Sequence, residues 1–269
     1  MHTSTRVTRG LLTIGVVVLG VALSAQTATK PKPYEPSVGQ AGKDVVWVPT
    51  ADTLVAKMLD MAKLTPQDYL IDLGSGDGRT VIAAAKRGAT SHGIEYNPDM
   101  VELSKKNAAA AGVANKATFV KADIYESDYS KATVLTLFLL PDINVKLRPT
   151  ILNMKPGTRV VSNSFNMEDW EADDTANVEQ ECTSWCTAYL WIVPAKVGGT
   201  WTTPRGDLTL TQTYQMVSGT LGTTPISEGR LRGTQITFKA AGATYTGQVN
   251  GTSMTGTSTS GGNWTATKR

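Results

Sequence analysis

Asp72-Leu-Gly-Ser-Gly-Asp-Gly-Arg79 is the stretch that decides the fold of this 269-residue sequence. It begins within the last residues of a short, mostly apolar run at 69–73, and it leads into a segment at 79–87 whose apolar residues recur at helical spacing. Glycines between a strand and a helix let the backbone approach a ligand at the carboxyl end of a parallel sheet. We therefore expect an α/β domain that holds a nucleotide-like ligand at this loop.

Strands and helices alternate along the chain around this loop, a pattern that predicts a parallel sheet covered on both faces. The predicted strands are Tyr69–Leu73, His92–Tyr96, Ala117–Lys121, Thr133–Leu139 and Arg159–Asn163. The predicted helices are Ala51–Leu64, Arg79–Arg87, Met100–Ala111 and Ile143–Leu152. Two further strands, Val178–Glu181 and Ala188–Val193, are predicted to form a hairpin that ends the domain.

The N-terminal residues differ in kind from the rest of the chain. Arg6 and Arg9 precede an apolar run, Leu11–Ala22, and small residues follow. This order is typical of a secretory signal, and the run is shorter than the roughly 20 residues that span a bilayer. Residues 1–28 are therefore predicted to be a signal peptide or an uncleaved signal anchor, followed by a proline-rich linker at 29–44. We expect a protein that is exported, periplasmic or secreted, or held at a membrane by this segment.

The composition changes at Gly198, which separates an α/β domain at 45–197 from a module at 198–269. The second part is rich in threonine and glycine, and its short apolar–polar alternations are typical of strands. Gly-Thr pairs recur at 219, 233 and 251, as in successive strands of a meander. About eight short strands fit an up-and-down barrel or a curled sheet. The predicted fold class is thus α/β with a small C-terminal all-β, barrel-like module.

Charge and cysteine content narrow the range of partners. The 26 basic and 23 acidic residues give a formal net charge of +3 and form no basic stripe, so we expect no nucleic-acid partner. Cys182 and Cys186 form either a disulfide, which export would permit, or two thiols. No metal site is expected, because the sequence has two histidines, His2 and His92, and no second cysteine pair.

The Gly-x-Gly-x-Gly spacing at 74–78 distinguishes between nucleotide ligands. A nicotinamide dinucleotide loop has its third glycine one position later, where Arg79 stands, so a dinucleotide oxidoreductase is disfavoured. Carboxylates at Asp72 and Asp77 would repel a pyrophosphate but suit a cationic ligand. S-adenosylmethionine carries a sulfonium and an ammonium group, and we expect it as the cofactor.

Two more acidic residues stand at the ends of the next predicted strands. Glu95 lies twenty-one positions after Gly74, where a carboxylate can accept hydrogen bonds from ribose hydroxyls. Asp123 follows the third strand, where it can receive the exocyclic amine of adenine. Acids at the ends of strands one, two and three together favour an adenosyl ligand.

Over about residues 45–195 the sequence resembles the class I, Rossmann-like methyltransferases. The resemblance implies a seven-stranded sheet that ends in an antiparallel hairpin, with S-adenosylmethionine at the glycine loop. It assigns Gly74, Gly76 and Gly78 to the cofactor loop, Glu95 to the ribose, Asp123 to the adenine side, and Asp72 and Asp77 to the methionine part.

A narrower resemblance rests on several motifs in order along the chain. They are Val48-Pro-Thr50, the glycine loop, Leu139-Leu-Pro-Asp-Ile-Asn144, Leu147-Arg-Pro149 and Pro156-Gly-Thr-Arg-Val-Val-Ser162. These motifs look like those of the lysine methyltransferases that act on the mitochondrial ATP synthase c-subunit and the adenine nucleotide carrier. The resemblance implies methyl transfer to a protein lysine amine, and it stops before Gly198.

Three residues are candidates for the acceptor side of the site: Thr50, Pro141 and Asn144. Leu140-Pro141 occupies the place where many amino methyltransferases have a loop such as Asn-Pro-Pro-Tyr. Asn144 either supplies a side-chain oxygen to the amine or bonds its own helix end, whereas Thr50 and Trp47 are placed to close over the cofactor. Two other functions stay open: methylation of a small molecule or lipid, and ligand binding by an exported protein whose methyltransferase domain is a relic.

Overall fold

The computed structural model describes residues 1–6, 10 and 34–269. The predicted signal or anchor at 1–28 and the first part of the linker therefore lie largely outside the described residues. Within the described part of the chain, no helix is long and apolar enough to cross a membrane. The compact unit described below is Tyr34–Arg269.

The α/β part of this unit is built on a seven-stranded sheet. Its strands are β1 (Tyr69–Leu73), β2 (Thr90–Glu95), β3 (Ala117–Lys121), β4 (Val134–Leu137), β5 (Arg159–Asn163), β6 (Asp174–Asn177) and β7 (Thr187–Ile192). They lie in the order β3-β2-β1-β4-β5-β7-β6. β1 to β5 are parallel, β7 runs antiparallel to β5, and β6 runs antiparallel to β7. The predicted parallel sheet with a terminal hairpin is confirmed.

Four helices cover the two faces of this sheet. They are α1 (Asp52–Met61), α2 (Arg79–Lys86), α3 (Pro98–Ala110) and α4 (Pro141–Ile151). Alternate strand residues point to opposite faces: Leu70 of β1 packs in the cluster that contains α1, and its neighbour Ile71 packs in the cluster that contains α4. The helices cover the two faces, and the carboxyl ends of the parallel strands remain open between the two helical layers.

One predicted strand is wrong in position. The hairpin strand expected at Val178–Glu181 lies at Asp174–Asn177, and Val178 begins the loop that follows it. The observed strand is polar and mostly exposed, because it forms the edge of the sheet and pairs on one side with β7. An edge strand of this kind has no apolar alternation by which to recognise it.

The second part of the unit is a closed antiparallel barrel. Its strands are β8 (Gly199–Thr203), β9 (Gly206–Thr213), β10 (Met216–Leu221), β11 (Thr224–Pro225), β12 (Ser227–Arg232), β13 (Gln235–Ala240), β14 (Ala243–Asn250), β15 (Ser253–Ser258) and β16 (Gly262–Lys268). β8 pairs with both β9 and β16, and β9 pairs with β10, so eight strands close a ring while the short β11 pairs with β10 outside it. Buried side chains such as Trp201, Phe238 and Met254 form its core. The predicted barrel-like module is confirmed.

The barrel packs against the β5–β6 loop (164–173) of the α/β part. Arg230 on β12 donates to the Asp173 carboxylate at 2.7 Å, and the Asp173 side chain is fully buried. The Tyr214 hydroxyl donates to Asp169 at 2.9 Å, and its ring stacks on Trp170. The barrel therefore contacts the second half of this loop, whereas the first half continues from the carboxyl end of β5.

Candidate active site

Asp72 lies near the end of β1, at the open edge of the sheet, and lines a cavity there. The residue is 7% exposed, and its carboxylate accepts a hydrogen bond from the Thr136 hydroxyl at 2.6 Å. Burial raises the pKa of Asp72 to about 7; the Thr136 hydrogen bond opposes this rise, and the negative charges of Glu95 and Asp77 add to it. A buried carboxylate of this kind is stabilised by a cation, so Asp72 marks a site for a cationic group.

The glycine loop folds back against the end of β2. The backbone N–H groups of Gly74 and Ser75 both donate to the Ile94 carbonyl, at 2.9 and 3.1 Å. The Glu95 carboxylate accepts from the Gly76 N–H at 2.9 Å, which fixes it beside the loop. The hydroxyl oxygen of Ser75 is buried and has no hydrogen-bond partner among the described residues, so this loop presents an unused polar group.

Two glycines near the loop are required by close packing. Gly78 has a φ of +82°, and a Cβ there would lie 2.7 Å from the Phe119 ring. Gly93 in the middle of β2 faces the loop, and a Cβ would lie 2.5 Å from the Ser75 hydroxyl. Gly78 thus immediately precedes α2 and lets the chain pack closely on β3. It is absent from the cavity lining. Gly93 was missed in the sequence, although a glycine inside a strand signals close approach of another segment.

A segment at 39–50, here called the strap, forms one wall of the cavity. Its backbone closes a turn in which the Gly39 N–H donates to the Trp47 carbonyl at 2.8 Å. The Trp47 indole lies over the glycine loop, so close that a Cβ on Gly76 would be 2.6 Å from its nitrogen. Lys43 forms an ion pair with Asp123, and this contact lowers the pKa of the Asp123 carboxyl. Trp47 is therefore placed to cover a ligand at the loop.

Arg79 ties the strap to the glycine loop. Its guanidinium donates to the Asp77 carboxylate at 2.6 Å and to the Thr50 carbonyl at 2.8 Å. The charge of Asp77 is thus already matched by Arg79, whereas Asp72 and Glu95 have no ion-pair partner among the described residues. Asp72 is the buried one of these two carboxylates and is therefore the one assigned to a cationic group. Thr50 lines the cavity, and its hydroxyl accepts a hydrogen bond from the Asn163 amide at 3.2 Å. Asn163, at the end of β5, was missed in the sequence.

Three aromatic side chains also line the cavity. Phe138 follows β4, Phe165 follows β5, and Trp185 lies in the β6–β7 loop (178–186). The ring centres of Phe138 and Phe165 are 5.9 Å apart, and those of Phe138 and Trp185 are 6.2 Å apart. Cys182 and Cys186 are joined by a disulfide, which settles the alternative that the sequence left open.

The cavity brings together most of the predicted site residues. Its lining includes Thr50, Asp72, Gly74, Gly76, Asp77, Glu95 and Asp123. It does not include Pro141 or Asn144. Pro141 begins α4, and the fully buried Asn144 amide donates to the Phe165 and Asn166 carbonyls at 3.3 and 3.2 Å. Asn144 therefore bonds the loop after β5 rather than its own helix end, and it holds the residue that carries the Phe165 ring.

These groups fit S-adenosylmethionine. The buried carboxylate of Asp72 suits the ammonium of the methionine part, and Glu95 and Asp123 offer carboxylate oxygens at the ends of β2 and β3 for the ribose and adenine. The positive φ of Gly74 and Gly76 lets the loop backbone approach the ligand between these carboxylates.

A seven-stranded sheet of this order with such a site defines a class I, S-adenosylmethionine-dependent methyltransferase. The sequence pattern of the ANTKMT methyltransferase domain matches residues 72–174. A protein-lysine N-methyltransferase of Saccharolobus islandicus is 38% identical over 152 residues, which are 55% of this chain and 94% of that protein. The chain belongs to the family of that enzyme.

Two other similarities bear on the acceptor. A lysine N-methyltransferase of Mus musculus, named for the ATP synthase c-subunit, is 36% identical over 39% of this chain and 43% of its own length. The chain therefore spans about half the length of such animal relatives. A crystal structure of an RNA methyltransferase from Salinibacter ruber with S-adenosyl-L-homocysteine is 45% identical, with a TM-score of 0.53, and covers 56% of this chain and 96% of that one.

Proposed function

We propose that this methyltransferase transfers the methyl group to a lysine amine of a protein, outside the cytosol or at a membrane. The observation that carries the acceptor is the 38% identity to a protein-lysine N-methyltransferase across nearly the whole of that enzyme. The cavity agrees with a lysine acceptor, because its lining combines the carboxylates expected to bind the cofactor with aromatic and aliphatic side chains. A long aliphatic amine requires such apolar side chains along its stem.

The residues of the site contribute mainly by positioning. Bound S-adenosylmethionine would supply a methyl group that its sulfonium already activates for transfer. Asp72 and Glu95 fix the orientation of the cofactor, and Trp47 with Phe138 excludes water. A lysine amine must first lose a proton, against an ordinary pKa of about 10.4. Apolar surroundings lower that pKa because they disfavour the charged amine.

Thr50 is the last residue of the strap, and its side chain carries a hydroxyl group at the cavity. Its oxygen accepts from Asn163, so its own hydrogen stays available to donate to a ligand. We propose that Thr50 orients the bound ligands, with Asn163 holding it in place.

An RNA acceptor is the second candidate, because the Salinibacter ruber relative is named an RNA methyltransferase. The β6–β7 loop that carries Trp185 also carries the exposed acids Glu179 and Glu181, and the exposed Asp52 begins α1. Acidic groups repel phosphates, which dominate nucleic-acid binding, and attract a lysine. A protein acceptor is therefore favoured.

Purified full-length protein with methyl-labelled S-adenosylmethionine, added to protein, RNA and lipid extracts, tests the acceptor. We expect label in protein, recovered as methyl-lysine after hydrolysis. The Asp72→Ala variant should transfer none, whereas Asp60→Ala, on the exposed side of α1, should match wild type. Label confined to RNA or to the lipid phase would overturn the lysine proposal.

The proposed location rests on the signal-like residues 1–28 and on the Cys182–Cys186 disulfide, since disulfides persist in oxidising compartments. Fractionation of cells that express a C-terminally tagged chain, with sequencing of its N-terminus, tests it. Cleavage near residue 28 would indicate export, and an intact N-terminus in the membrane fraction would indicate an anchor. An intact chain in the cytosol would contradict both.

A further inference from the structure

The cluster of Phe138, Phe165 and Trp185 lines the cavity but holds none of the groups expected to bind the cofactor. Trp185 packs edge to face against Phe138, and Phe165 stacks on the same ring, at distances usual for interacting rings. Trp185 is nevertheless 45% exposed. The Trp185 ring therefore lines the cavity and is at the same time accessible from solvent.

Trp185 is fixed by its loop. It has a φ of +54°, a left-handed conformation that non-glycine residues adopt rarely, and it lies inside the ring that the Cys182–Cys186 disulfide closes. The Val178 N–H donates to the Cys186 carbonyl at 2.9 Å and closes the base of the loop. Without the disulfide, the backbone around Trp185 would be free to leave this conformation.

The chemistry of the cluster and of its loop suits a cation on an apolar stem. Aromatic faces attract an ammonium group within about 6 Å and also accept aliphatic carbons. Glu179 and Glu181, exposed on the same loop, add negative charge. A lysine side chain has both features, a point charge at the end of a four-carbon stem.

We propose that Phe138, Phe165 and Trp185 form the acceptor entrance, and that Trp185, held by the disulfide, is the residue that selects a lysine side chain. This inference rests on the proposed function, because it names the surface by which the lysine reaches the cofactor. The disulfide is thereby a positioning element of the site as well as a cross-link.

A binding experiment tests the entrance without turnover. In the ¹⁵N-labelled full chain with S-adenosyl-L-homocysteine, the Trp185 indole signal is identified by its loss in Trp185→Phe. n-Butylammonium serves as the probe of a lysine side chain, and n-butanol as its neutral isostere. We expect n-butylammonium to shift this signal at concentrations about fivefold lower than n-butanol, and Phe138→Leu to reduce the difference. Equal shifts by both probes, or none, would overturn the proposal.

Steady-state kinetics give the second test, with the protein that the labelling experiment identifies as the acceptor used in its unmethylated form. Trp185→Ala should raise the KM for the acceptor about tenfold, while the KM for S-adenosylmethionine stays unchanged and Trp185→Phe retains most of the affinity. The Cys182→Ser/Cys186→Ser double variant should raise the acceptor KM in the same direction. Met216→Ala, an exposed apolar residue on the barrel, is the matched control and should have no effect.

The two proposals fail in different ways. If wild-type protein labels lysine but Trp185→Ala leaves the acceptor KM unchanged, the entrance is wrong and the function stands. If wild-type protein labels RNA or lipid and no lysine, the proposed function is wrong. The shifts of the Trp185 indole signal by n-butylammonium and n-butanol then still show whether the entrance prefers a cation.

Discussion

At the scale of single residues, Asp72 makes cofactor binding depend on pH. Its carboxyl has a pKa of about 7 because it is buried, and the ammonium of the cofactor would lower that pKa. Below about pH 7 the free carboxyl holds a proton that must leave when the cation binds. We therefore expect the affinity for S-adenosylmethionine to fall about tenfold per pH unit below about pH 7. Above that pH the Asp72 carboxylate is charged, and the affinity should fall again only as the α-amino group of the cofactor loses its proton, at about pH 8.

Calorimetric titrations between about pH 5.5 and 8 measure this dependence through linked proton release. Asp72→Asn should bind weakly because the amide has no negative charge to attract the ammonium, and its affinity should not change across this pH range because the amide does not titrate. A wild-type affinity that is constant across the range would show that Asp72 is ionised before the cofactor binds, contrary to expectation.

Gly78 is required for shape, and its effect on stability can be separated from its backbone conformation. Gly112 has a similar φ, +72° against +82°, but a Cβ there meets no atom within 4 Å, whereas a Cβ on Gly78 meets Phe119 and Ser104. We expect Gly112→Ala to lower the free energy of unfolding by about 1 kcal/mol and Gly78→Ala by about 3 kcal/mol or more. Denaturant unfolding of both variants gives the comparison, and equal losses would contradict a packing role.

The site residues that the sequence predicts lie at the ends of strands, whereas those that it does not predict lie mostly in loops. Asp72, Glu95 and Asp123 end or follow consecutive parallel strands, so their convergence follows from strand order alone. Phe165 and Trp185 reach the cavity from loops, whose paths are set by long-range contacts such as those of Asn144 and by the disulfide. Such contacts have no periodic signal in the sequence.

At the scale of elements, we expect the strap to determine how long the cofactor stays bound. Trp47 covers the glycine loop, so its removal opens the cavity without altering the carboxylates below. We expect Trp47→Ala to speed cofactor dissociation about tenfold, measured by stopped-flow competition with unlabelled cofactor. Val38→Ala, 68% exposed just before the strap, should leave the rate unchanged. An unaltered rate in Trp47→Ala would mean that the strap does not cover the ligand.

Elements with a buried face were easier to predict than those without. β1, β3 and β5 have the predicted bounds, since their buried residues form clear apolar runs or alternations. The predicted strand lies four residues later than the observed β6, because the sequence of β6, Asp-Thr-Ala-Asn, has no apolar pattern and the strand has one side open to solvent. The physical information that fixes β6 is its pairing with β7, which no local pattern contains.

At the scale of the whole molecule, the ion pair between Arg230 and Asp173 joins the two parts. Loss of Arg230 would leave a fully buried carboxylate without its cation, although the partly exposed guanidinium limits the cost. We expect Arg230→Ala to lower the free energy of unfolding by about 2 kcal/mol. Lys239→Ala, which removes an exposed ion pair with Glu228 on the same barrel, should cost less than about 0.5 kcal/mol. Chemical denaturation measures both, and equal effects would mean that the joint is not a source of stability.

The closure of the barrel has a consequence for engineering. Its first and last strands are neighbours: Lys268 pairs with Trp201, and the Arg269 N–H donates to the Thr200 carbonyl at 3.0 Å. The ring of strands is thus closed by pairing between its own first and last strands, without a strand from the α/β part. We expect that another module can replace it after Gly198, provided that the replacement again covers Trp170, neutralises Asp173 and packs on Ala195 and Val197, which lie in the barrel core.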